Sequence, residues 1–366
     1  MHHPLTAVAL ASLALLGCQP AEPVRIGFLG GLSSRASDVG EAGRNAVQLA
    51  VEQRNSAGGI RGRTIELIVR DDAQDMEVAT RGTKELIENR VAAVIGPFAS
   101  SMAAAALPHI NQAGVVMVSP TITSMDFVGN DDYLFRINRT TRDNARDYAA
   151  KLYQRGQRRI AATFDVRNRS FTESWLNEFK AAFAEIGGET IIAVPFESMP
   201  DAGFADIVTK MLAPRPDGLL FIAAAVDLSR LCEQAKRLAP KLPIAATEWA
   251  ASEKLIELGG KALEGLLIVQ NFNREDRSAR YLAFRDAYFK RFQRDPGYSS
   301  VLAYDAATAV FDAMEKRTEG ETLKQALVKY APFEGLQQTI SFDAYGDTPR
   351  TVYFTQIRDG RYEQIE

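Results

Sequence analysis

The sequence predicts an α/β protein of two doubly wound lobes with mainly parallel sheets. Three observations carry this expectation. At 366 residues the chain exceeds what one hydrophobic core usually organises. From Val24 onward, short apolar runs alternate with amphipathic helical patterns, the rhythm of parallel strands covered by helices on both faces. The alternation then restarts beyond Thr140, giving a second unit of similar size.

In the first unit, Val24–Leu29 reads as a strand and Asp38–Asn55 as a helix, with Val39, Ala42, Ala46, Leu49 and Ala50 at helical spacing. Ala57-Gly58-Gly59-Ile60-Arg61-Gly62 breaks the helix, and Ile65–Val69 is the next strand. Met76–Glu88 is helical, Ala92–Ile95 a strand, Ser101–Ala113 helical and Val115–Val118 a strand. Asp126–Thr140, with the turn residues Gly129-Asn130-Asp131-Asp132, is the first candidate crossing between units. In the second unit, helices are expected over Asn144–Gln154, Glu173–Ile186, Phe204–Leu212 and Leu228–Leu238. Strands are expected over Arg159–Phe164, Thr190–Pro195, Gly218–Ala223 and Leu242–Ala246. After Gly265–Gln270, two long amphipathic helices, Ser278–Gln293 and Ser299–Lys316, pack back on one lobe. Strands around Gln338–Phe342 and Val352–Ile357 close the chain.

Composition is that of an ordinary soluble domain, 46% apolar and 24% charged. A net charge of −3 with dispersed Lys and Arg gives no electrostatic case for nucleic acid. Leu5–Leu16 is an uncharged apolar run, too short to span a membrane comfortably but right for a secretory signal. It ends in Leu15-Leu16-Gly17-Cys18, which resembles a bacterial lipobox, so residues 1–17 read as a lipoprotein signal peptide and Cys18 as the lipidated residue. The n-region lacks the usual Lys or Arg, and an ordinary cleaved signal is the alternative. Cys232, the other cysteine, has no partner for a disulfide and reads as a small buried hydrophobe.

Two polar turns carry the chemistry: Gly96-Pro97-Phe98-Ala99-Ser100-Ser101 and Ser119-Pro120-Thr121-Ile122-Thr123-Ser124. Each follows a short strand, so hydroxyls and free backbone N–H groups collect at neighbouring strand ends, an anion-binding corner. The blander reading is that Ser100 or Ser101 caps the helix that follows. Signals for an enzyme are poor. His109 is the only histidine of the mature region, which disfavours a His-based triad or multi-His metal site. The glycine-rich stretch at Ala57 follows a helix and lacks a phosphate loop's Lys-Ser/Thr ending. No cofactor is expected.

Five stretches then fall in a telling order: Val24-Arg25-Ile26-Gly27-Phe28-Leu29-Gly30, Asn55-Ser56-Ala57-Gly58-Gly59-Ile60-Arg61-Gly62-Arg63, Val94-Ile95-Gly96-Pro97, Ser119-Pro120 and Ala303-Tyr304-Asp305-Ala306. The ordered set resembles the type I periplasmic binding proteins of the branched-chain amino-acid (Leu/Ile/Val-binding) family. The resemblance implies two lobes joined by a three-crossing hinge, with solute held in the cleft between them. It places residues 24–138 plus 273–335 in the N-terminal lobe and 139–270 plus 336–366 in the C-terminal lobe. It implies a monomeric receptor in the periplasm or at the cell surface, held to the membrane by a lipid at Cys18. Such a receptor passes an amino acid or related small carboxylate to the permease and ATPase subunits of an ABC importer. A ligand-sensing envelope protein of the same fold is the alternative.

The resemblance also implies site residues. Relatives that bind amino acids hold the α-carboxylate with a Ser hydroxyl and backbone N–H of the first turn and a Thr of the second; Ser100 and Thr123 stand there, with Phe98 and Ala99 beside them. The ammonium would meet the Thr121 carbonyl, the Thr123 hydroxyl and an acid from the second lobe, which Glu248 matches. Around the ligand's side chain this sequence departs from the pattern. Val39 replaces an aromatic residue, Phe171 a Tyr, Ala224 and Ala225 bulkier or polar residues, and Trp249 a small one. Arg35 replaces an uncharged residue, and either meets a second anionic group or sits solvated on the rim. A reshaped, aromatic-lined cavity is expected. Gln74 and Ala99 occupy positions that carry a disulfide in some relatives.

Overall fold

A computed structural model describes residues 22–365; residues 1–17, read above as a signal peptide, and Cys18 lie outside the described residues. The chain opens with β1 (Val24–Gly30), α1 (Ser37–Ser56), β2 (Ile65–Asp71), α2 (Met76–Glu88), β3 (Ala93–Ile95), α3 (Ser100–Ala113), β4 (Val116–Ser119) and β5 (Leu134–Arg136). The five strands form one parallel sheet in the order β2-β1-β3-β4-β5. Nearly every residue of β1, β3 and β4 is buried, as a sheet covered on both faces requires. Local chemistry sets the boundaries: the Asp75 carboxylate accepts the N–H groups of Glu77 and Val78 to start α2, and Gly114 closes α3 in the left-handed conformation.

The second lobe runs through α4 (Thr141–Gln154), β6 (Arg159–Asp165), α5 (Arg169–Glu185), β7 (Glu189–Phe196), α6 (Phe204–Leu212), β8 (Gly218–Ile222), α7 (Ala225–Leu238), β9 (Ile244–Ala246), α8 (Glu253–Gly259) and β10 (Leu267–Gln270). The chain then returns to the first lobe with α9 (Ala279–Phe292), α10 (Tyr298–Lys316), α11 (Leu323–Lys329), β11 (Phe333–Glu334) and β12 (Thr339–Ile340). It ends with β13 (Tyr353–Arg358) and β14 (Arg361–Gln364), which join the second sheet antiparallel. That sheet runs β14-β13-β10-β9-β8-β6-β7, with β10 to β7 parallel.

The fold class is as expected, with local differences. Residues 134–136, placed by sequence in a crossing loop, form the edge strand β5, because Met117–Ser119 offers them a ladder. Helix α5 begins at Arg169, so Phe171 lies in its first turn rather than in a loop. Residues 336–347, expected with the second lobe, contact the first: Phe342 packs edge-on against Phe135 with ring centroids 5.1 Å apart, and Asp347 pairs with Arg136. The strand expected near 338–342 pairs in a two-stranded ladder with Phe333–Glu334.

The three crossings lie between β5 and α4, between β10 and α9, and between β12 and β13. Arg350 ties the last two together. Its Nε donates to the Asn271 carbonyl at 3.1 Å and its Nη2 meets Asp305 Oδ2 of α10 at 3.2 Å, both side chains being almost fully buried. Asp305 Oδ1 also accepts the Leu336 N–H at 2.7 Å. Asp305, singled out in the sequence only as part of an ordered motif, is therefore a hinge anchor.

Candidate functional site

The strands of both lobes point their C-terminal ends at one cleft, where open α/β sheets collect their ligand-facing loops. The first polar turn leaves β3 through Gly96, whose φ is +115°; a Cβ there would stand 1.9 Å from the Leu29 carbonyl oxygen, so only glycine fits. The two polar turns are bonded to each other. Ser119 Oγ donates to the Pro97 carbonyl at 2.6 Å and Thr121 Oγ1 to the Phe98 carbonyl at 2.7 Å.

Ala99 is the N-cap of α3 and supplies no side-chain cap. Ser101 does not cap it either: its Oγ accepts the Ser170 N–H at 3.2 Å, from the other lobe. Ser100 Oγ is buried without a protein partner at the positive end of the α3 dipole. Thr123 is equally buried, its Oγ1 also unpartnered.

Across the cleft, β9 delivers Glu248 and Trp249 in a short helical turn. Glu248 is 3% exposed; its Oε1 accepts from Asn144 Nδ2 at 2.8 Å, and Oε2 has no protein partner. Burial raises its carboxyl above the usual range, and its own backbone N–H and the Asn144 amide oppose that only in part. Below it, Tyr148 bridges two strand ends, donating to the Ala246 carbonyl at 2.5 Å and accepting the Val269 N–H at 2.8 Å.

Six of the sequence-predicted side chains, or their neighbours, meet in one small cavity. Phe98, Ser100 and Thr121 line it from the first lobe; Phe171, Glu248 and Trp249 line it from the second. Phe171 and Trp249 meet edge-on, centroids 5.7 Å apart. The enclosed volume is only about 20 Å³, so a solute enters by parting the lobes. The other predicted residues fall outside it. Ala99 packs with Ala79 and Met102, and Thr123 stays beneath the surface. Ala224 caps α7 and packs in the same cluster as Phe171 and Trp249 without lining the cavity.

Arg35, expected either to meet a second anionic group or to sit on the rim, has its Nη2 2.8 Å from Asp227 Oδ1 of the opposite lobe. Other bonds across the cleft join Ser101 N–H to Asn168 Oδ1 at 3.1 Å, Ser252 Oγ to Asp38 Oδ2 at 2.5 Å, and Tyr298 Oη to the Trp249 carbonyl at 3.1 Å. The lobes stand closed.

Sequence reasoning missed three lining residues: Asn168, Asn271 and Tyr298. Asn271 directly follows the end of β10, and that position alone could have marked it. Tyr298 is the first residue of α10, and nothing in its sequence context points to the cleft. A much larger depression, about 710 Å³, lies between α1, α8 and the α9–α10 turn. Charged side chains such as Arg44, Glu257 and Arg294 line it, whereas the buried, unpartnered polar atoms of Ser100, Glu248 and Asn271 gather at the smaller cleft. Among the described residues no cluster of His, Cys, Asp and Glu could hold a metal ion.

A family model described as periplasmic binding protein matches residues 23–361. The chain belongs to that family. It is a family of solute-binding receptors rather than enzymes, and this periplasmic binding protein shares the two-lobed layout of its relatives. It is 25% identical over 361 residues to the leucine-, isoleucine-, valine-, threonine- and alanine-binding protein of Pseudomonas aeruginosa, covering 95% of this chain and 93% of that one. Among solved structures, it resembles a branched-chain amino acid transporter substrate-binding protein from Streptococcus pneumoniae in complex with isoleucine. The TM-score is 0.85 at 26% identity, covering 93% of this chain and 98% of that one. A Thermotoga maritima leucine-binding protein shares the fold with a TM-score of 0.86 at 23% identity, over 94% and 98% of the two chains.

Proposed function

We propose that this periplasmic binding protein is the solute receptor of an ABC importer and holds a small amino acid between its lobes. The observation that carries the reading is Glu248: a buried carboxylate with one oxygen unpartnered, lining a cavity that no Lys or Arg lines. A carboxylate in that position is costly to bury unless a cation joins it, and an ammonium is the cation a small solute would bring. On the opposite wall the Ser100 hydroxyl, with the N-terminus of α3, suits the α-carboxylate, and the unpartnered Thr123 hydroxyl, buried outside the cavity, is the second donor that the family pattern implies. The amino acids for which the relatives above are named support the same head group.

Closure comes from rotation about the three crossings, and ligand stabilises the closed form by binding it better than the open one. The receptor acts as a monomer and is held at the membrane by a lipid on Cys18. Among the described residues, no helix is long and apolar enough to cross a membrane.

Calorimetric titration with amino acids tests the site. Ser100→Ala and Thr123→Ala each weaken binding about tenfold or more, as loss of a hydrogen bond to a charged group predicts. Unchanged affinity in both would sink the carboxylate assignment, and binding restricted to acids without an amine would remove the role of Glu248. Loss of solute uptake in a deletion strain separates transport from sensing. Mass spectrometry of a membrane fraction finds Cys18 acylated at the mature N-terminus; a soluble product starting elsewhere refutes the anchor.

A further inference from the structure

The head-group assignment uses Ser100, Thr123 and Glu248, and one polar lining residue is left over. Asn271 is 1% exposed, and neither its Oδ1 nor its Nδ2 has a protein partner. The other polar lining groups are engaged within the protein. Thr121 Oγ1 donates to the Phe98 carbonyl, Asn168 Oδ1 accepts the Ser101 N–H, and Tyr298 Oη donates to the Trp249 carbonyl. Asn271 is held in place through its backbone, whose carbonyl accepts from Arg350 Nε at 3.1 Å. Its amide thus offers a donor and an acceptor, side by side, on an otherwise aromatic wall.

An unpaired buried amide costs about 1–3 kcal/mol, so a ligand that satisfies it is favoured over an apolar isostere that does not. The complement is a group that both donates and accepts: a hydroxyl or a carboxamide. A second carboxylate does not fit, since it would leave the Asn271 acceptor facing an acceptor. It would also find no cation among the lining residues, Arg35 being held by Asp227. With Phe98, Phe171 and Trp249 this close, the side chain is short.

Resting on the amino-acid reading above, we infer that Asn271 selects a neutral hydrogen-bonding side chain, so that the cleft prefers small hydroxyl or amide amino acids to aliphatic ones. The test is calorimetric titration of the mature chain with isosteric pairs: L-threonine against L-valine, L-serine against L-2-aminobutyrate and L-asparagine against L-leucine, with L-aspartate as the charged arm. The polar member binds at least about tenfold tighter in each pair, and L-aspartate more weakly than L-asparagine. Asn271→Leu abolishes or reverses the preference, weakening the polar member of each pair more than its apolar partner.

Four outcomes overturn the inference. If valine and leucine bind the wild-type protein as tightly as threonine and asparagine, Asn271 does not select, while the head-group assignment stands. A preference for L-aspartate refutes neutrality. If Asn271→Leu weakens every ligand by one factor, the residue serves the hinge and not the ligand. If no amino acid binds the wild-type protein, the site reading itself fails and takes this inference with it. The wild-type comparisons need no variant, so a poorly folding Asn271→Leu leaves the test decisive.

Discussion

Arg35 of the first lobe and Asp227 of the second meet across the cleft mouth, Nη2 to Oδ1, at 2.8 Å. Asp227 is buried at the start of α7, while Arg35 is partly exposed. Opening the lobes breaks the pair, so its free energy belongs to closure and not to any one solute. Arg35→Ala leaves a buried carboxylate without its cation and lowers affinity for every ligand by a similar factor, about tenfold, mostly through faster release. Stopped-flow dissociation with several ligands checks this. A loss confined to acidic ligands would show instead that Arg35 contacts the solute.

Phe98 leans on Gly43 of α1. A Cβ at position 43 would stand 2.2 Å from the Phe98 ring, too close for any real contact. Gly43→Ala therefore displaces the ring from the cavity wall it forms. Ligand affinity falls about tenfold, with a loss of global stability typical of an overpacked core, about 1–3 kcal/mol. Titration and urea denaturation of the same variant separate the two effects. Wild-type affinity would mean that Phe98 has room to move away from the cleft.

The hinge pair of Asp305 and Arg350 is buried on both sides. Arg350→Met removes the cation and leaves the Asp305 carboxylate uncompensated, costing about 3–5 kcal/mol. Asp305→Asn with Arg350→Met, which removes both charges, recovers most of that loss. Denaturant midpoints of both single variants and of the double variant decide it; losses that simply add would mean that the charges do not interact.

Glu248 makes binding pH-dependent. Its carboxyl is raised by burial, so the free protein holds a proton there over a range where an exposed glutamate has lost it. An ammonium ligand needs the carboxylate, so the proton leaves on binding and affinity falls as pH drops through the raised value. Titration in buffers of different ionisation enthalpy reads the released proton directly. Glu248→Gln abolishes the release; persistence in that variant would assign the proton elsewhere.

Two other buried acids, among several that burial raises, contribute to the stability profile. Burial pushes Asp72 to about 7 and Asp165 to about 6, from 3.8. Between about pH 4 and 7 the native chain keeps protons that the unfolded chain has released, so these groups make stability fall as pH rises through that window. Carboxylates held low, such as Asp71 and Glu52, act in the opposite sense but only at more acidic pH. The urea midpoint is therefore higher near pH 5 than near pH 8, and Asp72→Asn flattens the difference. A profile unchanged by that substitution would contradict the assignment.

The alternation of apolar strands and amphipathic helices made both lobes legible, because burial on two faces writes itself into local sequence. The short pieces did not show. β5 is three residues whose strand state depends on a partner far along the chain, and α8 and α11 are too short for a periodic signal. In the site, Ser100, Thr121, Glu248, Phe171 and Trp249 were readable from their positions after strands and from the family pattern. The pairing of Arg35 with Asp227 was not legible, because the two lie 192 residues apart and only lobe closure brings them together. Asn271 and Tyr298 reach the cleft from the crossing and from a helix of the first lobe, routes that no local pattern records.

Helix α10 touches the cleft at Tyr298, through the Trp249 carbonyl, and the hinge at Asp305, through Arg350. Seven residues separate the two contacts, about 10 Å along a helix that does not stretch. The rod fixes the distance between the jaw and the pivot of the trap. Bending is left to the three linking segments, and the gape of the cleft is set by a lever arm of constant length.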